Sequence, residues 1–455
     1  MSGIDWLEAL WRQSRRQPDA SAAVVHDEVI SYATLWKQAG AAARYLRSLG
    51  LPQGTVLVLC MEPAHNVLMS LLGASLAGYP TCVIAKLGRP AHLLTSIELR
   101  HEAGEEAPQC GIPADSLMHV VFTSGTTGAP KLTPFTPRQL AERIGHDVER
   151  YGELGPTRLL NLTSAHRTAG YTYPVGIWCR GGTVIDPGGL HPAQAIARHQ
   201  PDEFRTNPAM MGQILERLPS DVIPRAETRI RIGGARIPPL LRDAIVARLG
   251  ATIEASYGLT ETQTIGYIGP VAAGEPWTEE FTVASPYCQV ELVGEQGELR
   301  IRSRGMASGY LNDPEATQRH FRDGWFYGGD IGSLTPEGRL LLHARETDML
   351  NVAGTKIPPA QVEDPVRRIA GVVDAAAFTL CGSLGLEELW IAVVKSPGAD
   401  LDKALRQVCG QELGPFGRVH VLMLKEIPRN DAGKVLRRDL VELARRVPGN
   451  AVRPG

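Results

Sequence analysis

The chain has 455 residues and a mass of 49.2 kDa, with 43% apolar and 21% charged residues, proportions that exclude a disordered or fibrous chain and leave room for more than one packed core. Lys and Arg total 47 against 49 Asp and Glu, a formal net charge of -2, so no bulk positive field recruits nucleic acid or an anionic membrane surface, and an anionic ligand has to be held by local groups. The apolar stretch Val67 to Ala77 is broken by Ser70, Gly73 and Ser75 and is shorter than the roughly 20 residues of a membrane helix, and Met1 to Gln13 carries Asp5 and Glu8 and lacks the pattern of a secretory signal. Seven scattered cysteines (Cys60, Cys82, Cys110, Cys179, Cys288, Cys381 and Cys409), with no CxxC pair, fit reduced core thiols, so a cytoplasmic location is expected.

In chain order, Ser31 to Leu49 places Tyr32, Leu35, Trp36, Ala39, Ala42, Ala43, Leu46 and Leu49 at helical spacing and stops at Gly50. Val56 to Cys60 predicts a buried strand and Ala64 to Ala77 a second helix, followed by the break Gly78-Tyr79-Pro80 and another apolar run; such alternation belongs to an α/β sheet. The run Val120 to Phe122 predicts a strand that feeds a Gly-rich loop. Ala193 to Gln200 and Leu240 to Leu249 predict helices, and Thr252 to Ser256 a strand just before Tyr257-Gly258. From about Pro286 the texture changes to short runs, Gln289 to Val293, Glu298 to Ile301 and Leu340 to Leu342, between Gly-rich turns. The polar segment Ala344 to Asp348 precedes a compact unit of roughly 110 residues with strands near Ala375 to Cys381 and Leu389 to Lys395, and Val447 to Gly455 reads as a loose tail. The expected fold is α/β: a large N-terminal domain over residues 1–345, with a β-rich subdomain over about 286–345, and a small α+β C-terminal domain over 346–455.

Chemistry first shows in Thr123-Ser124-Gly125-Thr126-Thr127-Gly128-Ala129-Pro130-Lys131. Gly125 and Gly128 let the backbone approach a polyphosphate, the hydroxyls of Thr123, Ser124, Thr126 and Thr127 add short donors, and Lys131 adds a positive charge. The spacing is not the Walker pattern, because Ala129-Pro130 separate the second glycine from the lysine.

At these residues the chain resembles the adenylate-forming superfamily: acyl-CoA and aryl-CoA synthetases, adenylation domains of peptide synthetases, and luciferases. The likeness continues through Gly233-Gly234-Ala235, Tyr257-Gly258-Leu259-Thr260-Glu261, Trp325-Phe326-Tyr327-Gly328-Gly329-Asp330, Arg345 and Pro428-Arg429-Asn430-Asp431-Ala432-Gly433-Lys434. The resemblance implies that Tyr257 stacks on adenine, Thr260 contacts the α-phosphate and Glu261 binds Mg²⁺, a cation suited to a carboxylate plus phosphate oxygens. It implies further that Gly233, Gly234 and Ala235 line the adenine and acyl pockets, that Asp330 accepts from both ribose hydroxyls, and that Arg345 touches ribose and phosphate.

The implied reaction joins a carboxylic acid to AMP from ATP with release of pyrophosphate, then passes the acyl group to the thiol of CoA or of a carrier protein's phosphopantetheine. Two anions have to meet first; Lys131, Lys434 and Mg²⁺ on Glu261 would offset their repulsion, with Lys434 bridging the carboxylate and the α-phosphate. By the same resemblance the C-terminal domain is mobile: it rotates, withdraws Lys434 and presents the Gly354 loop to the thiol. The acceptor is expected to arrive as CoA or as a separate acyl carrier protein. Two alternatives stay open on the same fold: a non-catalytic acyl-nucleotide-binding regulatory protein, which has no need of Lys434, and a luciferase-like oxygenase that uses the adenylate.

The chain also departs from the family. Leu132 replaces the usual glycine after the signature lysine, Thr347 stands at the hinge beside Asp348, and Ala344 opens the boundary motif. Only about 45 residues separate Gly78 from Thr123, so a strand-helix unit is expected to be missing. His166 falls where CoA synthetases place a His or aromatic gate, and Arg167 stands where peptide-synthetase domains carry an Asp for the α-amino group. A cation there disfavours an α-amino acid, and a hydrophobic or aromatic acid is expected; Arg167 either points to solvent or meets a polar or second acidic group on the substrate. Gly382-Ser383-Leu384 is expected in a hairpin rather than as a phosphopantetheine attachment site.

Overall fold

The computed structural model describes residues 4–25, 27–60, 64–84, 106–123, 131–220, 222, 228–345, 350–352, 355–381, 387–413, 419–430 and 433–446. They group into two compact units, one of residues 1–291 with 300–327 and one of residues 292–299 with 328–455. Several expected features lie outside the described residues: the loop 124–130, the hinge at Thr347 and Asp348, Gly354, Gly382-Ser383-Leu384, the tail 447–455, and most of the short stretch between Gly78 and Thr123.

In the first unit the helix Tyr32–Ser48 starts where the Ser31 side chain accepts from the Thr34 N–H, and it buries Tyr32, Leu35, Trp36, Ala39 and Leu46. With helix Ala64–Ala77 it packs into a core that also takes Trp6, Leu10, Val121, Phe135, Tyr171 and Trp178. Strands Leu57–Cys60, Thr81–Ile84 and His119–Thr123 lie parallel in that order, and Lys131–Phe135 closes the sheet antiparallel, with Thr123 directly opposite Lys131.

A larger sheet runs, in spatial order, Glu280–Val283, Gln263–Val271, Thr252–Leu259, Arg229–Gly233, Glu203–Thr206, Arg158–Leu160, Thr183–Asp186, Ser21–Val25 and Glu28–Ser31. It is parallel from Thr252–Leu259 to Ser21–Val25 and antiparallel at each side of that block. One face buries Phe204, Ile230, Ile232 and Ile253 against Met211, Ile214, Ile245 and Leu249. The strand Thr252–Leu259 runs on through Tyr257 and Gly258, beyond the end expected at Ser256, because the antiparallel ladder with Gln263–Val271 continues to the pair Leu259 and Gln263.

Strands Cys288–Val293, Glu298–Ser303, Trp325–Leu334 and Leu340–Arg345 bear out the β-rich texture after Pro286. In the second unit, Val372–Cys381 pairs antiparallel with Glu387–Lys395, which pairs parallel with Val419–Leu424. Period-two alternation sends Ala375, Ala377, Ile391 and Val421 to one core with Val362 and Leu405, and Ala376, Phe378, Ala392 and Leu422 to another with Leu440 and Ala444. The fold is mixed α/β, as expected from the sequence. No helix among the described residues is long and apolar enough to cross a membrane.

Candidate active site

Thr260, Glu261 and Thr262 form the turn between strands Thr252–Leu259 and Gln263–Val271. The turn is tight: a Cβ on Gly258 would lie 2.5 Å from the carbonyl oxygen of Gln263. Arg143 supports it from helix Pro137–Tyr151, whose start is fixed by a capping box of Thr136 and Gln139 with a proline in the first turn. Its Nη2 donates to the carbonyl oxygens of Thr260 at 3.0 Å and Glu261 at 2.9 Å, its Nε donates to that of Gly305 at 2.7 Å, and its guanidinium lies 4.1 Å from the Phe135 ring centroid. Arg143 is 1% exposed, and burial lowers its pKa to about 10, so it is still a cation at neutral pH. The Ala307 N–H and the Ser303 hydroxyl, each at 2.8 Å, donate to the carbonyl oxygens of Glu261 and Thr262. The backbone carrying Thr260 and Glu261 is therefore held at three consecutive carbonyls.

The side chain of Glu261 meets Tyr310, whose hydroxyl donates to Oε1 at 2.8 Å. The ammonium of Lys131 lies 4.7 Å from the centroid of the same tyrosine ring, within cation–π range. The Leu311 N–H donates to the Leu132 carbonyl at 2.8 Å, which fixes the tyrosine beside the lysine strand. Lys131 and Glu261, far apart in sequence, thus meet one aromatic side chain, the lysine at its ring and the carboxylate at its hydroxyl. Lys131 is paired directly with Thr123, so the two residues that flank the glycine-rich segment in sequence are neighbours at this edge. Among the described residues no group of three or more His, Cys, Asp or Glu side chains is placed to hold a metal. A Mg²⁺ ion at Glu261 would take most of its oxygens from phosphate and water, which matches this donor set.

Tyr257 is half-buried, with its ring centroid 5.9 Å from that of Phe281. Gly233 ends strand Arg229–Gly233 opposite Ser256, Gly234 follows at φ 86, a left-handed conformation that favours glycine, and Ala235 is exposed. His166 Nδ1 lies 2.8 Å from Ser164 Oγ. Arg167 is exposed at the N-terminal end of helix Thr168–Cys179, and its backbone N–H donates to the Ser164 carbonyl at 3.0 Å. That exposure favours the solvent-facing reading of Arg167.

In the second unit Asp330 is 6% exposed and in register with Arg345. Lys434 sits on a hairpin: the Asn430 N–H donates to the Lys434 carbonyl, and the Lys434 N–H donates to Asn430 Oδ1, both at 2.9 Å. Arg429 ties this hairpin to strand Val372–Cys381. It donates to the Gly433 carbonyl at 2.9 Å and to Asp374 Oδ2 at 2.7 Å.

Sequence reasoning missed a charged layer on the other face of the larger sheet. Arg205 donates to Glu203 Oε1 at 3.0 Å and to Asp147 Oδ1 at 2.7 Å, Arg231 donates to Glu203 Oε2 at 2.8 Å, and Arg150 donates to Glu254 Oε2 at 3.0 Å. Tyr151 donates to Glu254 Oε1 at 2.6 Å, and its ring lies 3.3 Å from the Arg231 guanidinium. Burial alone would raise the pKa of Asp147, but Arg205 and Arg231 pull it below the usual carboxylate range. The available signal was the recurrence of charge at every second residue, Glu203 and Arg205, then Arg229 and Arg231, in parallel strands that normally read as apolar.

An α/β fold that brings a lysine and a hairpin carboxylate to one tyrosine accords with the adenylate-forming class of enzymes. The chain belongs to the AMP-binding enzyme family, which it matches over residues 10–99 and 81–311. It is similar to sulfoacetate–CoA ligase of Cupriavidus necator, 27% identical over 370 residues that cover 78% of this chain and 72% of that protein. It is also similar to a 2-succinylbenzoate–CoA ligase of Bacillus cereus, 23% identical over 471 residues, or 94% of this chain and 96% of the other. Among solved structures, ATP-bound MatB from Rhodopseudomonas palustris superposes with a TM-score of 0.82 at 21% identity, over 98% of this chain and 99% of that one. The o-succinylbenzoate CoA synthetase of Bacillus subtilis with its acyl-adenylate OSB-AMP gives 0.79 at 20% identity, over 97% and 98%. These two likenesses establish the shared fold.

Proposed function

We propose that the protein is an AMP-forming acid–thiol ligase that activates a small carboxylic acid with ATP and transfers the acyl group to CoA. The observation that carries this reading is the Lys131–Tyr310–Glu261 cluster on a hairpin braced by Arg143. The relatives named above, ligases of sulfoacetate and of 2-succinylbenzoate, support CoA as acceptor over a carrier-protein pantetheine.

A carboxylate oxygen attacks the α-phosphorus of ATP, the bond to the β-phosphate oxygen breaks, and pyrophosphate leaves. The thiolate then attacks the acyl carbon, and AMP leaves with the former carboxylate oxygen. In this assignment Lys131 and the loop residues Thr123, Ser124, Gly125, Thr126, Thr127 and Gly128 hold the phosphates. Tyr257, Gly234 and Ala235 hold adenine, Asp330 and Arg345 the ribose, and Thr260 the α-phosphate. His166, Arg167, Gly233, Gly258 and Gly354 belong to the acid and thiol side. Lys434 adds positive charge during adenylate formation only, and the functional division falls after residue 345. A Mg²⁺ ion held by Glu261 would neutralise phosphate charge. The fixed charges of Lys131 and Lys434 need no reorganisation as negative charge shifts to pyrophosphate. The five described free cysteines, Cys82, Cys110, Cys179, Cys288 and Cys409, support a reducing cytoplasmic setting.

Acid-dependent exchange of labelled pyrophosphate into ATP tests the assignment. Exchange that requires an acid is the expected result, whereas acid-stimulated formation of ADP would exclude it.

A further inference from the structure

Strands Glu203–Thr206, Arg229–Gly233 and Thr252–Leu259 are in register so that Arg205, Arg231 and Glu254 form one row across the sheet, with Gly233 and Ser256 in the next row toward Tyr257. Side chains two residues apart share a face, so the charged row lies roughly 7 Å along the strands from the Gly233–Ser256 row. Arg231 is 4% exposed and Arg205 8%.

The charges in this layer do not balance. Among the described residues, the guanidiniums of Arg150, Arg180, Arg205 and Arg231 face three carboxylates, those of Asp147, Glu203 and Glu254. Arg229, 4.0 Å from Glu203, adds a further cation at the rim. The hydrogen bonds are lopsided in the same sense. Among the described residues, buried Nε and Nη1 of Arg231 and Nε and Nη2 of Arg180 have no hydrogen-bond acceptor, against one carboxylate oxygen, Asp147 Oδ2, without a donor. Buried guanidinium donors left unmatched are costly, and a surplus of donors with a surplus of positive charge calls for an anionic acceptor.

We propose that this row is the far end of the acid-binding pocket and receives a second anionic group of the substrate, so that the enzyme acts on short acids carrying a carboxylate or sulfonate at the opposite end. The inference rests on the acid-ligase reading above and replaces the hydrophobic or aromatic acid expected from sequence. The reacting carboxylate belongs at the level of Gly233 and Tyr257, and the roughly 7 Å to the charged row suits a chain of about four to six carbons. Arg167, the residue first considered for a second acidic group, is exposed; the buried arginines take that role.

The test is pyrophosphate exchange with matched pairs of acids: succinate and butyrate, glutarate and valerate, adipate and hexanoate. The dianionic member is expected to have a kcat/KM roughly ten- to a hundredfold above its methyl-ended partner, the scale of a charge-assisted hydrogen bond. Arg231→Met is expected to abolish that preference while calorimetry shows unchanged ATP binding. Should Arg231→Met fail to fold, Arg180→Met asks the same question, because its loss leaves only the Tyr151 carbonyl without its donor. Preference for the methyl-ended acids, or an unchanged preference in a folded variant, overturns the proposal. Absence of exchange with both members of every pair likewise overturns the proposal, and exchange with other carboxylic acids then decides whether the acid-ligase reading itself stands.

Discussion

At Arg143 a single buried cation decides where two motif residues stand. Three carbonyls accept from it, and an apolar replacement leaves those of Thr260 and Gly305 without that donor, while the Glu261 carbonyl keeps only the Ala307 N–H. Arg143→Met is therefore expected to lower stability by about 2 to 4 kcal/mol and to depress adenylate formation, as read by denaturant unfolding and pyrophosphate exchange. Tyr310→Phe keeps the ring under Lys131 and removes the hydroxyl on Glu261. Its expected signature is an unchanged melting temperature, a raised Mg²⁺ requirement and about a tenfold loss of kcat, the scale of one hydrogen bond to a charged group. Tyr310→Leu should lose more, because Lys131 also loses its aromatic partner; equal behaviour of the two variants would contradict the ring's role. Lys131 and Glu261 were legible in the sequence because their motifs are local. Tyr310 and Arg143 were not, because their bonds join positions 49 and 117 residues apart.

Local rules located some elements and not others. The Ser31 cap and the amphipathic spacing after it place helix Tyr32–Ser48, and Ala64–Ala77 is recovered to the residue. Helix Thr168–Cys179 escapes the same rules: it contains Pro174, is buried on nearly every side, and so shows no apolar stripe to count. The Lys434 hairpin belongs to this scale as well, since its anchor, Asp374, comes from a separate strand. Asp374→Ala should loosen the hairpin and slow adenylate formation by about tenfold while sparing thiol transfer from a synthetic acyl-adenylate. Lys434→Ala should slow the first step by roughly a hundredfold or more with the same sparing of the second. Single-turnover assays of each half-reaction read both, and equal losses in the two steps would remove the assigned division of labour.

Across the whole molecule, buried titratable groups make stability depend on pH. Burial pulls the pKa of His119 and of His146 down to about 4 from the ordinary 6.5. The unfolded chain takes up these protons first, so this contribution is complete above pH 6.5 and is lost as pH falls toward 4, by up to about 3 kcal/mol for the fully buried His119. Asp147, whose folded pKa is depressed by Arg205 and Arg231, adds a further loss as pH falls below the ordinary carboxylate value. Denaturant unfolding at pH 7, 5.5 and 4.5 should show a steady fall, and His119→Phe should flatten it. The α/β class was readable from the order of the elements, and the adenylate-forming family from the likeness of its motifs. The charged layer across three strands was not, because its meaning depends on the register that aligns Arg205, Arg231 and Glu254.

The central claim is that the acid becomes an adenylate before it meets the thiol, and the fate of its oxygen tests this most directly. With carboxylates labelled with heavy oxygen, ATP and CoA, mass spectrometry should find one labelled oxygen in the AMP released per acyl-CoA formed. Unlabelled AMP, or labelled phosphate accompanied by ADP, would contradict the account.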